Sequence, residues 1–224
     1  MIYNPNFYQL RETMLERMLI VTRQNINAES NGVIFFGDSN MELYDIDRYF
    51  PEIEVKYNCG IGGSTSESLI WIVDEAVIKY KPKVVVFMVG TNDLGNTNMR
   101  SPREIALNVR TIIDLIKKNI PHVKILIVST LPCNEELQGE AVGKFMRSNK
   151  NILILNEEYK EIIKNTEDTI FVDAFSKLID DDTNNIKYGY SEDGLHLTQI
   201  GYEHLTEIIK PYINKSMWND LFIY

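Results

Sequence analysis

Two short segments near opposite ends of the 224-residue chain carry the side-chain types that acyl transfer to a serine requires. Ser39 sits in Gly37-Asp38-Ser39-Asn40, directly after the apolar run Val33-Ile34-Phe35-Phe36. A serine at a strand-to-helix turn presents its hydroxyl beside the peptide N–H groups of the next helix, which can stabilise an alkoxide or oxyanion. The plain alternative is a helix-capping serine, and the tetrapeptide alone favours it. A Gly-x-Ser-x-Gly nucleophile elbow is absent, because Met41 fills its last position. Far along the chain, Asp193 and His196 stand three positions apart at a loop-to-helix boundary. At that spacing a carboxylate can hold the imidazole and fix its tautomer. Of the other two histidines, His122 reads as a loop residue before a strand and His204 as a mid-helix surface or packing residue.

Two further segments could supply oxyanion donors. Gly60-Ile61-Gly62-Gly63 is glycine-rich enough for the backbone to approach a ligand closely and turn an N–H inward. Its spacing matches neither Gly-x-Gly-x-x-Gly nor a Gly-Lys-Ser phosphate loop, which counts against a nucleotide cradle. Asn92, in Gly90-Thr91-Asn92-Asp93, offers a neutral amide donor, or merely an Asx turn. The neighbouring positions Asn40, Thr91 and Leu195 are expected to line the substrate.

Positioning these residues falls to the elements between them. Val33–Phe36, Val84–Val89 and Ile125–Val128 are continuous apolar runs, which suit strands covered on both faces. Ile53–Tyr57 alternates and reads as a strand nearer an edge, and Thr169–Val172 is a fifth. Helical spacing appears at Leu10, Met14, Met18 and Val21, and across 66–80, 102–119, 152–165 and 198–213. Ser101-Pro102 with Glu104 marks a helix start. Alternating strands and helices call for right-handed crossovers: an α/β fold, a three-layer α/β/α sandwich around a mostly parallel five-stranded sheet. In such a sheet the loops at the carboxyl ends of the strands build the site, and the four signals fall where that rule expects one. A single domain over 1–224 is expected, with residues 1–30 a helical segment packed on the core.

Composition narrows the class. A net charge of −9 argues against a nucleic-acid surface, and no run of about 18 apolar residues offers a membrane span. Cys59 and Cys133 are too few for a disulfide framework and read as buried thiols of a cytoplasmic protein. The first ten residues lack the apolar stretch of a signal peptide. The N-terminal helix and the aromatics Trp218, Phe222 and Tyr224 could serve a homodimer, or simply cover the core.

Gly37-Asp38-Ser39, Gly63, Asn92 and Asp193-x-x-His196 resemble, in order, the four sequence blocks of the GDSL/SGNH hydrolase superfamily. Within it, the stretches 58–63 and 81–92 are similar to the platelet-activating factor acetylhydrolase catalytic-subunit-like esterases. The resemblance implies a flavodoxin-like fold and metal-free, cofactor-free hydrolysis of acyl esters. It implies Ser39 as nucleophile, His196 as general base and Asp193 as its orienting acid. The oxyanion donors it implies are the Ser39 and Gly63 N–H groups and the Asn92 amide. Ser64 departs from the Asp that many relatives carry there, and Asn40 from an apolar residue. The expected activity is hydrolysis of a short acyl ester, acetyl above all, of a small molecule, sugar or lipid. A thioesterase or lysophospholipase would use the same triad, and a non-catalytic flavodoxin-like binding domain is the alternative of another class.

Overall fold

A computed structural model of the chain describes residues 11–95, 100–139, 142–143 and 145–218. Phe222, Tyr224, residues 1–10 and the side chain of Trp218 lie outside the described residues. Five strands, β1 (Val33–Gly37), β2 (Lys56–Gly60), β3 (Val84–Met88), β4 (Lys124–Val128) and β5 (Thr169–Val172), form one sheet. Their order is β2-β1-β3-β4-β5, and every pairing is parallel.

The continuous apolar runs follow from two covered faces. Ile34, Phe36, Val85, Phe87, Ile125 and Ile127 point to one side. There they meet helices α1 (Glu12–Gln24), α4 (Ser66–Ile70), α5 (Val73–Ala76), α7 (Pro102–Asn119) and α8 (Asn149–Ile163). Val33, Phe35, Val84, Val86, Leu126 and Val128 point to the other. Short helices α2 (Ser39–Glu42) and α3 (Ile46–Tyr49) and the long α10 (Gln199–Trp218) cover that face. Because side chains alternate between faces, both core halves must be apolar, and no polar alternation survives.

Helix starts obey local chemistry. Ser101 and Glu104 form a reciprocal capping box ahead of Pro102 in α7, and Ser148 accepts from the Asn151 N–H to open α8. Two elements depart from the sequence reading. The edge strand lies at Lys56–Gly60, not 53–57, because Ile53 closes a turn by donating to the Phe50 carbonyl. The helix expected over 66–80 is broken into α4, α5 and a terminal 3₁₀ turn at 78–80. Its β-branched residues, Ile72, Val73, Val77 and Ile78, resist an uninterrupted helix, and Val77 leaves helical geometry at φ −133°. Small elements also follow β3 and β5: α6 (Thr91–Gly95), α9 (Phe175–Leu178) and a two-stranded ribbon, β6 (Ile179–Asp180) with β7 (Asn185–Ile186). Among the described residues, no helix is long and apolar enough to cross a membrane.

Candidate active site

Strand β1 ends at Gly37, where a side chain cannot fit: a Cβ there would sit 1.9 Å from the Met88 carbonyl oxygen of β3. The chain then turns into α2, with the Asp38 carboxylate capping it by accepting from the Asn40 N–H at 3.1 Å. This turn presents Ser39, whose Oγ lies 2.9 Å from Nε2 of His196. The other ring nitrogen, Nδ1, lies 2.6 Å from Oδ2 of Asp193.

Asp193 is held as firmly as it holds. Its Oδ1 accepts the backbone N–H groups of Leu195 and His196, each at 2.8 Å. Partial burial pushes this carboxyl up, but the hydrogen bonds from the His196 ring and the two backbone groups outweigh it and hold it at about 2. Asp193 is therefore an anion across the neutral range, so Nδ1 of the ring carries the proton and Nε2 is left to accept. A hydroxyl in line with that nitrogen can lose its proton to it as it attacks a carbonyl carbon. The pair is reached from solvent: the His196 side chain is 34% exposed, and a shallow cavity of about 330 Å³ opens along Glu192, Asp193 and His196.

The glycine loop after β2 passes against the serine. A methyl group on Gly62 would lie 3.6 Å from Ser39 Cβ, and Gly63 adopts φ +78°, a conformation that favours glycine. The Gly62 N–H donates to Glu42 Oε2 at 2.5 Å. Arg17 of α1 braces the same corner, donating to the carbonyls of Gly60 and Asn58. Asn58 in turn donates to the carbonyls of Met41, Glu42 and Tyr44 at the end of α2. The loop after β3 is sewn to the glycine loop twice. Asn92 Nδ2 donates to the Ser64 carbonyl at 3.0 Å, and Asp93 accepts from the N–H and hydroxyl of Ser66.

Two carboxylates lie buried beneath the reacting surface. Burial raises Asp38 to about 7 and the nearby charge of Asp93 adds to this, against the pull of the Asn40 N–H and Arg147. Asp93 is likewise pushed up by burial, to about 6, with the Ser66 hydrogen bonds opposing.

Ser39, His196 and Asp193 thus form one hydrogen-bonded line, with Gly63 next to the Gly62 that passes Ser39 and Asn92 tied to the following Ser64. The positions expected to line the substrate fare differently. Leu195 is half-buried beside the histidine. Thr91 is 5% exposed, and its carbonyl accepts from Arg147 Nε at 2.8 Å. Asn40 does not face the substrate: it is 3% exposed, with its side-chain amide spent on Leu195 and Leu197. His204 lies on α10, stacked on Tyr190 with ring centroids 4.9 Å apart and bonded to Glu207.

Several residues of the site carry no sequence signal. The excursion from β4 to α8 returns to the histidine loop, where Gln138 donates to the Asp193 carbonyl at 2.9 Å and to Gln138 in turn Arg147 donates. Arg17, Glu42, Gln138 and Arg147 are polar residues in no recognisable motif, while Asn58 opens the 58–63 stretch that carries part of the resemblance.

The GDSL-like lipase/acylhydrolase family model matches residues 35–204. Platelet-activating factor acetylhydrolase IB subunit alpha2 of Homo sapiens is 30% identical over 183 residues, covering 80% of this chain and 73% of that protein. Subunit alpha1 of Bos taurus is 25% identical over 192 residues, covering 84% and 77%. A Bacteroides fragilis protein solved as a candidate acylhydrolase superposes with a TM-score of 0.78 at 26% identity, covering 93% of this chain and all of that one. The parallel sheet, the convergent loops and the match over most of the chain agree: this protein belongs to the GDSL-like lipase/acylhydrolase family of ester hydrolases.

Proposed function

We propose that the protein is a serine esterase that cleaves short acyl esters, acetyl foremost, through an acyl-enzyme on Ser39. The observation that carries this reading is the continuous line from Ser39 Oγ to His196 Nε2, 2.9 Å, and from His196 Nδ1 to Asp193 Oδ2, 2.6 Å. His196 takes the hydroxyl proton as Ser39 attacks the acyl carbon, then hands it to the departing alcohol. A water molecule, deprotonated by the same nitrogen, attacks the acyl-enzyme and releases the acid. Asp193 keeps the ring in the tautomer that accepts at Nε2 and stabilises the imidazolium that forms.

The tetrahedral oxyanion is received by the N–H groups of Ser39 and Gly63 and by the Asn92 amide. One hydrogen of Asn92 Nδ2 goes to the Ser64 carbonyl, which fixes the amide plane and aims the second hydrogen. A donor oriented before reaction costs no reorganisation when charge develops. The acetyl preference draws on the acetylhydrolase relatives. The alcohol is assigned to small molecules, sugars or lipids, and the free, buried thiols of Cys59 and Cys133 accord with a reducing compartment such as the cytoplasm.

A panel of p-nitrophenyl esters from acetate to octanoate, run beside acetylated sugars and an acetyl thioester, tests this reading. We expect kcat/KM to be highest for acetate and to vanish in Ser39→Ala. A maximum at long chains, or on the thioester, would contradict the acetyl-ester assignment.

A further inference from the structure

We propose that Asn40 is a positioning residue that sets the distance between Ser39 and His196. The inference rests on the catalytic reading above. The histidine loop is internally rigid, since Asp193 accepts from Leu195 N–H, His196 N–H and the ring. None of those bonds fixes where the loop sits relative to Ser39. Its other ties, Gln138 to the Asp193 carbonyl and Asn134 N–H to the Gly194 carbonyl, run to the excursion after β4 and not to the nucleophile turn.

Asn40 supplies the missing link. Its Nδ2 donates to the Leu195 carbonyl at 3.3 Å, and its Oδ1 accepts from the Leu197 N–H at 3.2 Å. A carbonyl can only accept and a peptide N–H can only donate, so the amide has one orientation that satisfies both. The side chain thereby pairs like a peptide unit with the residues on either side of His196. Its main chain is pinned as well: the N–H donates to Asp38 Oδ1 at 3.1 Å, and the carbonyl accepts from Tyr202 OH of α10 at 2.8 Å. With every polar group of Asn40 engaged and the residue 3% exposed, the amide is a rigid spacer one peptide away from the nucleophile. An apolar residue of similar size would fill the space and leave the Leu195 carbonyl and Leu197 N–H without this partner. The histidine loop could then drift, and a displacement of about 1 Å can cost about 10²-fold in rate.

The test compares wild type, Asn40→Ala and Asn40→Asp on p-nitrophenyl acetate, with sites titrated by a fluorophosphonate and the thermal midpoint recorded. We expect kcat per titrated site to fall about 10²-fold in Asn40→Ala with KM little changed, because ground-state binding is untouched. Asn40→Asp keeps the acceptor for Leu197 N–H but turns a second acceptor toward the Leu195 carbonyl, so its kcat falls at least as far as that of Asn40→Ala. Should the alanine variant fail to fold, the isosteric aspartate variant gives the same reading. A lowered thermal midpoint with kcat per titrated site unchanged would reduce Asn40 to a packing residue and overturn the proposal. Absence of labelling at Ser39 in the wild-type protein would overturn the nucleophile assignment and this inference together.

Discussion

Ser39 Oγ and His196 Nε2 stand 2.9 Å apart although 157 positions separate them in the chain. One belongs to the turn after the second-from-edge strand β1, the other to the loop that leads into α10. Their meeting depends on α10 docking across β3, β4 and β5, with Leu205, Ile209 and Ile213 fully buried against that face. Chemistry at the carboxyl edge is thus bought with apolar burial elsewhere on the sheet.

Asp193→Asn should leave the fold intact and slow turnover by up to about 10⁴-fold, the scale set by losing the carboxylate that selects the tautomer. The amide can still accept the Leu195 and His196 N–H groups, yet it no longer holds a negative charge beside Nδ1. Steady-state kcat on p-nitrophenyl acetate, with circular dichroism as control, measures this. Retention of near-wild-type kcat would remove Asp193 from the catalytic line.

Asn92→Ala should lower kcat by about 10²–10³-fold, the usual cost of one oxyanion donor, with KM nearly unchanged. It also frees the Ser64 carbonyl, so the thermal midpoint should fall slightly, on the order of a lost hydrogen bond of about 1 kcal/mol. Equal loss in binding of a ground-state product analogue would instead mean that Asn92 holds substrate and transition state alike.

Asp38→Asn should flatten the dependence of stability on pH. The folded value of Asp38, about 7, lies above its ordinary 3.8, so the native state holds the extra proton between them. That contribution is whole below about pH 4 and is lost as pH climbs through 7. Asp93, raised to about 6, acts with the same sign. The wild-type thermal midpoint should therefore fall between pH 5 and pH 8, each kcal/mol moving it by roughly 2–4 °C in a chain of this size. Asparagine keeps an oxygen for the Asn40 N–H and removes the titration, so the difference should shrink. Parallel curves for the two proteins would contradict the buried-carboxylate explanation.

Much of the fold and of the site is legible in the sequence. Val33–Phe36, Val84–Val89 and Ile125–Val128 announce strands because burial on both faces leaves no room for polar residues. The site blocks could be placed because the chain ends of parallel strands gather at one edge. The displaced edge strand shows the limit: Ile53, Val55 and Tyr57 alternate convincingly, but register with Val33–Gly37 demands Lys56–Gly60. Local pattern cannot see register. Asn40, Arg17 and Gln138 were invisible in their roles for a related reason. Each acts on backbone groups of a distant segment, and a backbone carbonyl carries no residue identity in the sequence.

The central claim is that Ser39 is the acyl-accepting nucleophile. Incubating the protein with a fluorophosphonate and locating the adduct by peptide mass spectrometry tests it most directly. A single adduct on the peptide carrying Ser39, absent in Ser39→Ala and accompanied by complete loss of p-nitrophenyl acetate hydrolysis, is the predicted result. An adduct on another residue, or hydrolysis persisting in Ser39→Ala, would contradict it.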